Sequence, residues 1–439
     1  MSHLDNRLRI ADCANNVLES LDELLTPPRP YQVQTIRNLR DWLSDTGGSR
    51  RANVIYPTGM GKTYLFGALS RFAYEVRTLI IVPTKVLIEQ TIRQLSGFYG
   101  GMFGHLSSLN TITDDDGNVL AMRDYSNTNI CVTTDASLRT HSGRVLREFN
   151  PQIIIRDECH WSYSPPSASL LNEFPDAVIV GFTATPDFLT MVPPMIAAEE
   201  RILPNGRKVY VSAHRTAERH FGHRLDDLEI AWGIKERYLS PFAWSRLSFD
   251  INLATVPVTG GVGGFDFNES VLGTRIGNGW TEVCAAVSRL YQNNTHGIAD
   301  RQVFSVCPSI RCAAELTQTV NALGIPSVYV TSDQTDKECD AALRSFAGGR
   351  HKHIASVAKL REGWDAPNAD ICLMLRPTLS ILFYLQTLGR VLRCDPNNPG
   401  KRALVIDGSY QNLRHEPVSA PFLFCPPTQK INDGDYILQ

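Results

Sequence analysis

Ala52-Asn53-Val54-Ile55-Tyr56-Pro57-Thr58-Gly59-Met60-Gly61-Lys62-Thr63 is the stretch whose reading decides the fold. Its first five residues form an apolar run of strand character, and Leu65, Phe66, Leu69 and Phe72 follow at helical spacing. A strand, a glycine-bearing loop and then Gly-Lys-Thr opening a helix is the pattern of a loop that cradles phosphate. Glycines let backbone N–H groups converge on phosphate oxygens, and the helix N-terminus adds positive potential. Lys62 is then placed to reach the β- and γ-phosphates of ATP, and the Thr63 hydroxyl to bind Mg²⁺. The loop of Thr58, Gly59, Met60 and Gly61 is shorter than the fully spaced pattern, with Thr58 where a first glycine would stand.

Working outward, apolar strands at 52–56, 78–82, 129–133, 152–155 and 177–182 alternate with helical patterns. That rhythm predicts a parallel sheet covered on both faces, with its functional loops at the carboxyl ends of the strands. At one such end, Ile153-Ile154-Ile155-Arg156 delivers Asp157-Glu158-Cys159-His160. Behind a phosphate loop, Asp157 is expected to hold Mg²⁺ through water and Glu158 to orient and deprotonate the attacking water.

A second alternation begins near residue 280, with strands expected at 302–307, 326–331, 353–358, 370–375 and 402–407. Ser309 reads as the N-cap of a helix whose core positions are Cys312, Ala313, Leu316 and Val320 and whose stop is Gly324. This half has no phosphate loop. It has instead Gln386, Gly389, Arg390 and Arg393 at i, i+3, i+4 and i+7, one stripe of a helix beside Leu385, Leu388 and Leu392. Two arginines so aligned suit the stabilisation of charge on a transferring γ-phosphate across a cleft.

The organisation expected is an N-terminal helix at 1–27, an ATP-binding α/β domain at 28–192, a bridging insertion at 193–278, a second α/β domain at 279–410 and a C-terminal strap at 411–439. Leu4, Leu8, Ala11, Val17, Leu18, Leu21 and Leu25 give the first helix its apolar face, which is expected to pack on the first domain. The helix and the strap are the places where a partner protein would attach. The bridge carries a basic run (Arg201, Arg207, Lys208, Arg215, Arg219, Arg224) and three histidines, His214, His220 and His223, without metal-ligand companions.

At 439 residues, 43% hydrophobic and 20% charged, the chain has the composition of a soluble globular protein. It lacks a long apolar run and a leader-like N-terminus, so no membrane association and a cytoplasmic location are expected. Ten scattered cysteines without a Cys-x-x-Cys pair point to reduced thiols. A net charge of −2 does not advertise nucleic-acid binding, which would have to come from a local groove.

Further segments carry a resemblance. Arg29-Pro30-Tyr31-Gln32, Val82-Pro83-Thr84-Lys85, Thr133-Thr134-Asp135-Ala136-Ser137, Asp157-Glu158-Cys159-His160, Gly181-Phe182-Thr183-Ala184-Thr185-Pro186, Leu360-Arg361-Glu362-Gly363-Trp364-Asp365 and Gln386 to Arg393 occur in that order. The chain resembles superfamily 2 helicases of the DExH type, and within them restriction-enzyme helicase subunits, XPB-like and RadD-like proteins and phage UvsW helicases. The resemblance implies two tandem RecA-like domains with an ATP cleft between them. It implies that Arg29 and Gln32 read the adenine, that Gly363 and Asp365 complete the nucleotide site, and that Gln386, Arg390 and Arg393 act on the γ-phosphate. It implies strand contacts from Pro83, Thr84, Thr134, Ser137 and Ser309, and coupling through His160, Thr183 and Thr185. The activity implied is an ATP-dependent translocase or helicase on single-stranded, forked or branched DNA rather than RNA. A nucleotide-gated clamp that moves nothing, and the motor subunit of a restriction or defence complex, are the alternatives. Two positions depart from the family: Arg156 stands where an apolar residue is usual, and Arg361 where threonine is frequent.

Overall fold

Strand Thr78–Val82 is buried at all five positions, which requires cover on both faces of its sheet. The computed structural model describes residues 3–24, 26–45, 47–191, 198–212, 215–261, 264–357 and 368–438. Arg361, Gly363, Asp365, His214 and Leu25 lie outside the described residues. The chain divides into two compact units. The first comprises Met1–Pro57, Gly61–Asp187 and His214–Leu228, and the second Thr58–Met60, Phe188–Ala213 and Glu229–Gln439.

In the first unit, nine strands run in the order His223–Asp227, Arg51–Ile55, Val178–Thr183, Ile153–Arg156, Thr78–Val82, Ile130–Thr134, Phe103–Leu106, Val119–Met122 and Ile112–Thr113. Every pairing is parallel except the last, between Ile112–Thr113 and Val119–Met122. The register Ile55↔Thr183 and Arg156↔Gly181 aligns the carboxyl ends of three neighbouring strands. The chain leaving Ile55, Thr183 and Asp157-Glu158 therefore emerge side by side.

The N-terminal helix His3–Glu19 packs on this unit through Ile10, Ala14 and Val17. Leu4 and Leu8, expected on the packed face, are exposed. The reason is Arg7, 1% exposed, which donates to the carbonyls of Trp42, Asp45 and Ser49 and lies 4.6 Å above the Trp42 ring. Those carbonyls accept from its two terminal nitrogens, which makes the burial tolerable, and this rotates the helix away from the purely apolar solution.

The second unit has a seven-stranded sheet in the order Ser327–Val330, His353–Ser356, Val303–Val306, Ile371–Met374, Ala403–Gln411, Phe242–Asn252 and Tyr436–Leu438. All its strands pair in parallel except the last. Ser309 caps helix Ile310–Ala322 by accepting from Cys312 N, a contact of about 1 kcal/mol. Trp280, Leu316, Leu373 and Ile406 meet in the core of this unit.

Two stretches differ from their sequence reading. The bridge supplies a strand to each sheet, His223–Asp227 to the first and the eleven-residue Phe242–Asn252 to the second. The C-terminal strap contributes helix Ala420–Phe424 and the antiparallel edge strand Tyr436–Leu438. Among the described residues no cysteines form a disulfide, and no helix is long and apolar enough to cross a membrane.

Candidate nucleotide site

Lys62 is the first residue of helix Lys62–Ser70, and Gly61 before it has φ +78°, a conformation open to glycine and costly for other residues. A Cβ at Gly61 would come within 2.6 Å of Gln32 Nε2, which itself donates to the Gly61 carbonyl at 3.2 Å. Gln32 Oε1 accepts from Arg29 N at 2.8 Å, so this buried amide ties the start of helix Pro30–Ser44 to the phosphate loop. Gln32 thus occupies the space that a side chain at position 61 would need, and the glycine leaves the loop backbone bare. Those features fit a polyphosphate.

Lys62 Nζ donates to the Tyr56 carbonyl at 3.1 Å and stands 3.9 Å from Glu158 Oε1. Glu158 sits at φ +44°, a left-handed geometry unusual for a glutamate and of the kind that clusters at functional sites. Its second oxygen is 3.3 Å from His160 Nδ1 and 3.4 Å from Thr183 Oγ1. His160 Nδ1 is 2.8 Å from Thr183 Oγ1. Facing a carboxylate and a hydroxyl oxygen, Nδ1 is the ring nitrogen that carries the proton; a bare lone pair would be repelled there. Thr183 Oγ1 also donates to Thr185 O and accepts from Thr185 N, both at 3.1 Å. Residues from three separate sequence segments therefore form one connected chain in the first unit: Lys62, Glu158, His160, Thr183 and Thr185.

Burial holds His160 neutral, lowering its pKa to about 4 against the local pull of Glu158 and with the help of the Lys62 and Arg156 charges. The folded value lies below the ordinary 6.5, so this ring adds stability above pH 6.5 that is lost as pH falls through 4. The full contribution is about 3 kcal/mol. Asp407 of the second unit, raised to about 6 by burial, trends oppositely and destabilises as pH rises toward 6. A comparison with His160→Gln separates the two: the stability gap between the chains in urea unfolding should widen from pH 4 to 6.5 and then stay level. A gap independent of pH would show that the ring is not held neutral.

Asp157 Oδ1 accepts from Glu158 N at 2.9 Å, which fixes the carboxylate beside the strand end. Among the described residues no three His, Cys, Asp or Glu gather as a metal cluster. A Mg²⁺ held by one hydroxyl, one carboxylate, water and the phosphates of the nucleotide requires none. His220 and His223 instead stack on Tyr163 and Trp42, with centroids at 4.8 and 5.9 Å.

The second unit requires a correction. Helix Ile381–Val391 ends before Arg393, so the stripe of Gln386, Gly389 and Arg390 does not extend to it. Ser240 N bonds to the Leu392 carbonyl, and Lys401 Nζ and Ser240 Oγ donate to the Arg393 carbonyl at 2.9 and 3.3 Å; a β-bridge to Leu239 follows in place of a further turn. Gln386 and Arg390 are 5% and 6% exposed, unlike a solvated surface helix. Within the same unit, a Cβ on Gly389 would lie 2.5 Å from Thr58 Cβ, and one on Gly59 would lie 3.0 Å from Arg393 Cγ. Tyr384 of this helix and Trp244 both donate to the buried Asp407. Sequence reasoning missed that network, although Asp407 closes a predicted strand just as Asp157 does.

For the expected strand-binding residues, Val82↔Thr134 registers the starts of helices Lys85–Leu95 and Asp135–Glu148 beside each other. Thr84 is exposed and makes no capping bond. Thr134 is buried and its hydroxyl caps Ser137 N at 3.3 Å. Within the basic run of the bridge, Arg201–Glu199, Lys208–Glu200 and Arg224–Asp227 form ion pairs, and Arg207 lies over the Phe422 ring.

Among known families, residues 25–188 match the Type III restriction enzyme, res subunit, and residues 284–395 match the Helicase conserved C-terminal domain. The chain is 24% identical over 415 residues to the DNA 3'-5' translocase XPB2 of Sulfurisphaera tokodaii, spanning 89% of this chain and 84% of that protein. It is 22% identical over 353 residues to a 51.5 kDa protein of a Lactococcus phage (isolate 7-9), covering 80% of this chain. It spans 64% of that phage protein, less than two thirds of its length. A solved fragment assigned to an HsdR subunit of a type I restriction enzyme from Vibrio vulnificus YJ016 superposes with a TM-score of 0.61 at 19% identity, covering 90% of this chain and 67% of that one.

Proposed function

We propose, from the premise that the chain belongs to the superfamily 2 helicases of the restriction-enzyme and XPB-like group, that it is a DNA-dependent ATPase of the DExH type that translocates on or remodels DNA. The observation that carries this reading is the chain from Lys62 through Glu158 and His160 to Thr183 and Thr185. It gives a charge for the triphosphate, a carboxylate base, and a rigid route by which hydrolysis is felt at the next strand.

In this reading Gly59, Met60, Gly61 and Lys62 wrap the phosphates, and Arg29 and Gln32 bind on the adenine side. Thr63 and Asp157 would hold Mg²⁺, which supplies Lewis-acid stabilisation of the phosphoryl oxygens when bound. Glu158 takes the proton of the attacking water; its contact with Lys62 helps hold the carboxylate in place. Neutral His160, its one Nδ1–H set between Thr183 and Glu158, passes changes at the carboxylate toward Thr185. Arg390 and Arg393 contribute charge at the γ-phosphate, a role supported by the approach of Arg393 to Gly59. Thr84, Ser137 and Ser309 contact strand phosphates, with Pro83 and Thr134 shaping the first of those grips.

DNA is favoured over RNA because a relative matched over 84% of its own length is named a DNA translocase. The matching restriction-enzyme family supports a second reading of the same motor, as one subunit of a larger assembly. The test is ATP turnover with single-stranded, duplex, forked and RNA substrates, run beside strand displacement on forks. Stimulation by DNA with displacement establishes a helicase, and stimulation without displacement a translocase or clamp. Equal or greater stimulation by RNA would overturn the substrate assignment.

A further inference from the structure

Arg156 has no part in the chemistry above beyond its charge near His160, yet it is among the most deeply buried charges of the chain at 1% exposure. It ends strand Ile153–Arg156, immediately before Asp157. Its guanidinium grips Asp135 with both forks, Nη1 to Oδ1 and Nη2 to Oδ2 at 2.6 Å each. Asp135 is the first residue of helix Asp135–Glu148, directly after Thr134. The registers Ile81↔Arg156 and Ile81↔Thr133 place this contact across the whole width of strand Thr78–Val82. A second route joins the same points: Ser167 Oγ donates to Asp135 Oδ2 at 3.2 Å and receives Arg139 Nη2 at 2.7 Å, in a helix that follows the Cys159–Tyr163 turn.

We propose that Arg156 and Asp135 are positioning residues that couple the nucleotide pocket to the DNA grip, a proposal that rests on the function given above. Stability does not explain the pair. A buried ion pair is often matched or bettered by apolar side chains of similar volume. A bidentate guanidinium–carboxylate contact fixes distance and angle together, so a shift of the Asp157-Glu158 strand end moves the first turn of helix Asp135–Glu148. The pair also has an electrostatic consequence. An unpaired carboxylate in that first turn would repel a strand phosphate; Arg156 cancels it and leaves the helix N-terminus attractive to anions.

The experiment compares the unaltered chain with Arg156→Met, Asp135→Asn and the double variant Arg156→Met/Asp135→Leu. It measures thermal midpoint, the ratio of turnover with and without forked DNA, and the DNA concentration giving half-stimulation. In the double variant the midpoint should return to that of the unaltered chain while the stimulation ratio falls at least ten-fold. Arg156→Met alone should raise the half-stimulating DNA concentration more than the double variant does, because only the single change leaves Asp135 charged and bare. If the double variant melts early, Asp135→Asn, measured below its own midpoint, is expected to show the same loss of ratio. A ratio that recovers together with the midpoint means the pair is structural and overturns the proposal. Absence of DNA stimulation in the unaltered chain would overturn the function reading and the coupling with it. Stimulation intact in both the unaltered and the double-variant chains would overturn the coupling alone.

Discussion

Lys62→Ala is expected to reduce DNA-stimulated ATP turnover at least a thousand-fold, about 4 kcal/mol of transition-state stabilisation. The side chain is 12% exposed at the start of its helix and is held by the Tyr56 carbonyl, within 3.9 Å of Glu158. It is preorganised in a poorly solvated place, where one positive charge acts on phosphate with little screening. Alanine retains the helix but removes the charge, so nucleotide affinity should fall with turnover. Phosphate release at saturating DNA, together with the thermal shift on adding ATP, measures both. Turnover within ten-fold of the unaltered chain would place the triphosphate elsewhere.

Glu158→Gln should divide binding from chemistry. The amide has the shape of the carboxylate and keeps one acceptor for Thr183 and His160, so the pocket should persist and ATP should still bind. It cannot take a proton, and loss of a positioned general base costs about 10²–10⁴ in rate. Equilibrium binding of a fluorescent ATP analogue should therefore match the unaltered chain within a few-fold, while turnover drops by roughly three orders of magnitude. Hydrolysis at the normal rate would mean that another group serves as the base.

The ten strands expected from the sequence were legible because most are short apolar runs buried on two faces, as in Ile130–Thr134 and Ile371–Met374, while the parallel strands His223–Asp227 and Phe103–Leu106 were not. The last two strands of the first sheet gave no such signal. Val119–Met122 has one buried residue, and Ile112–Thr113 is too short to show a period. Phe242–Asn252 hid differently: Phe249 and Ile251 alternate with exposed Ser248, Asp250 and Asn252, but the segment lies among turns and pairs with strands more than 150 residues away. At the site, residue types and order foretold that the strand ends would meet, because chemistry restricts which side chains a phosphate loop requires. Sequence could not show that Lys62 leans on a backbone carbonyl, that Thr134 spends its hydroxyl on a cap, or that helix Ile381–Val391 stops short of Arg393. Each depends on carbonyls and amides brought close only by tertiary packing. Arg156 was visible as an anomaly, and its partner Asp135 could be named only once the strand between them was in place.

The central claim is that this ATP pocket is governed by DNA, and its most direct measurement is the ATP turnover of the unaltered chain titrated with forked DNA. A saturable rise of ten-fold or more above the DNA-free rate, abolished in Lys62→Ala, is the predicted result. A turnover rate that stays flat across the titration would contradict the account.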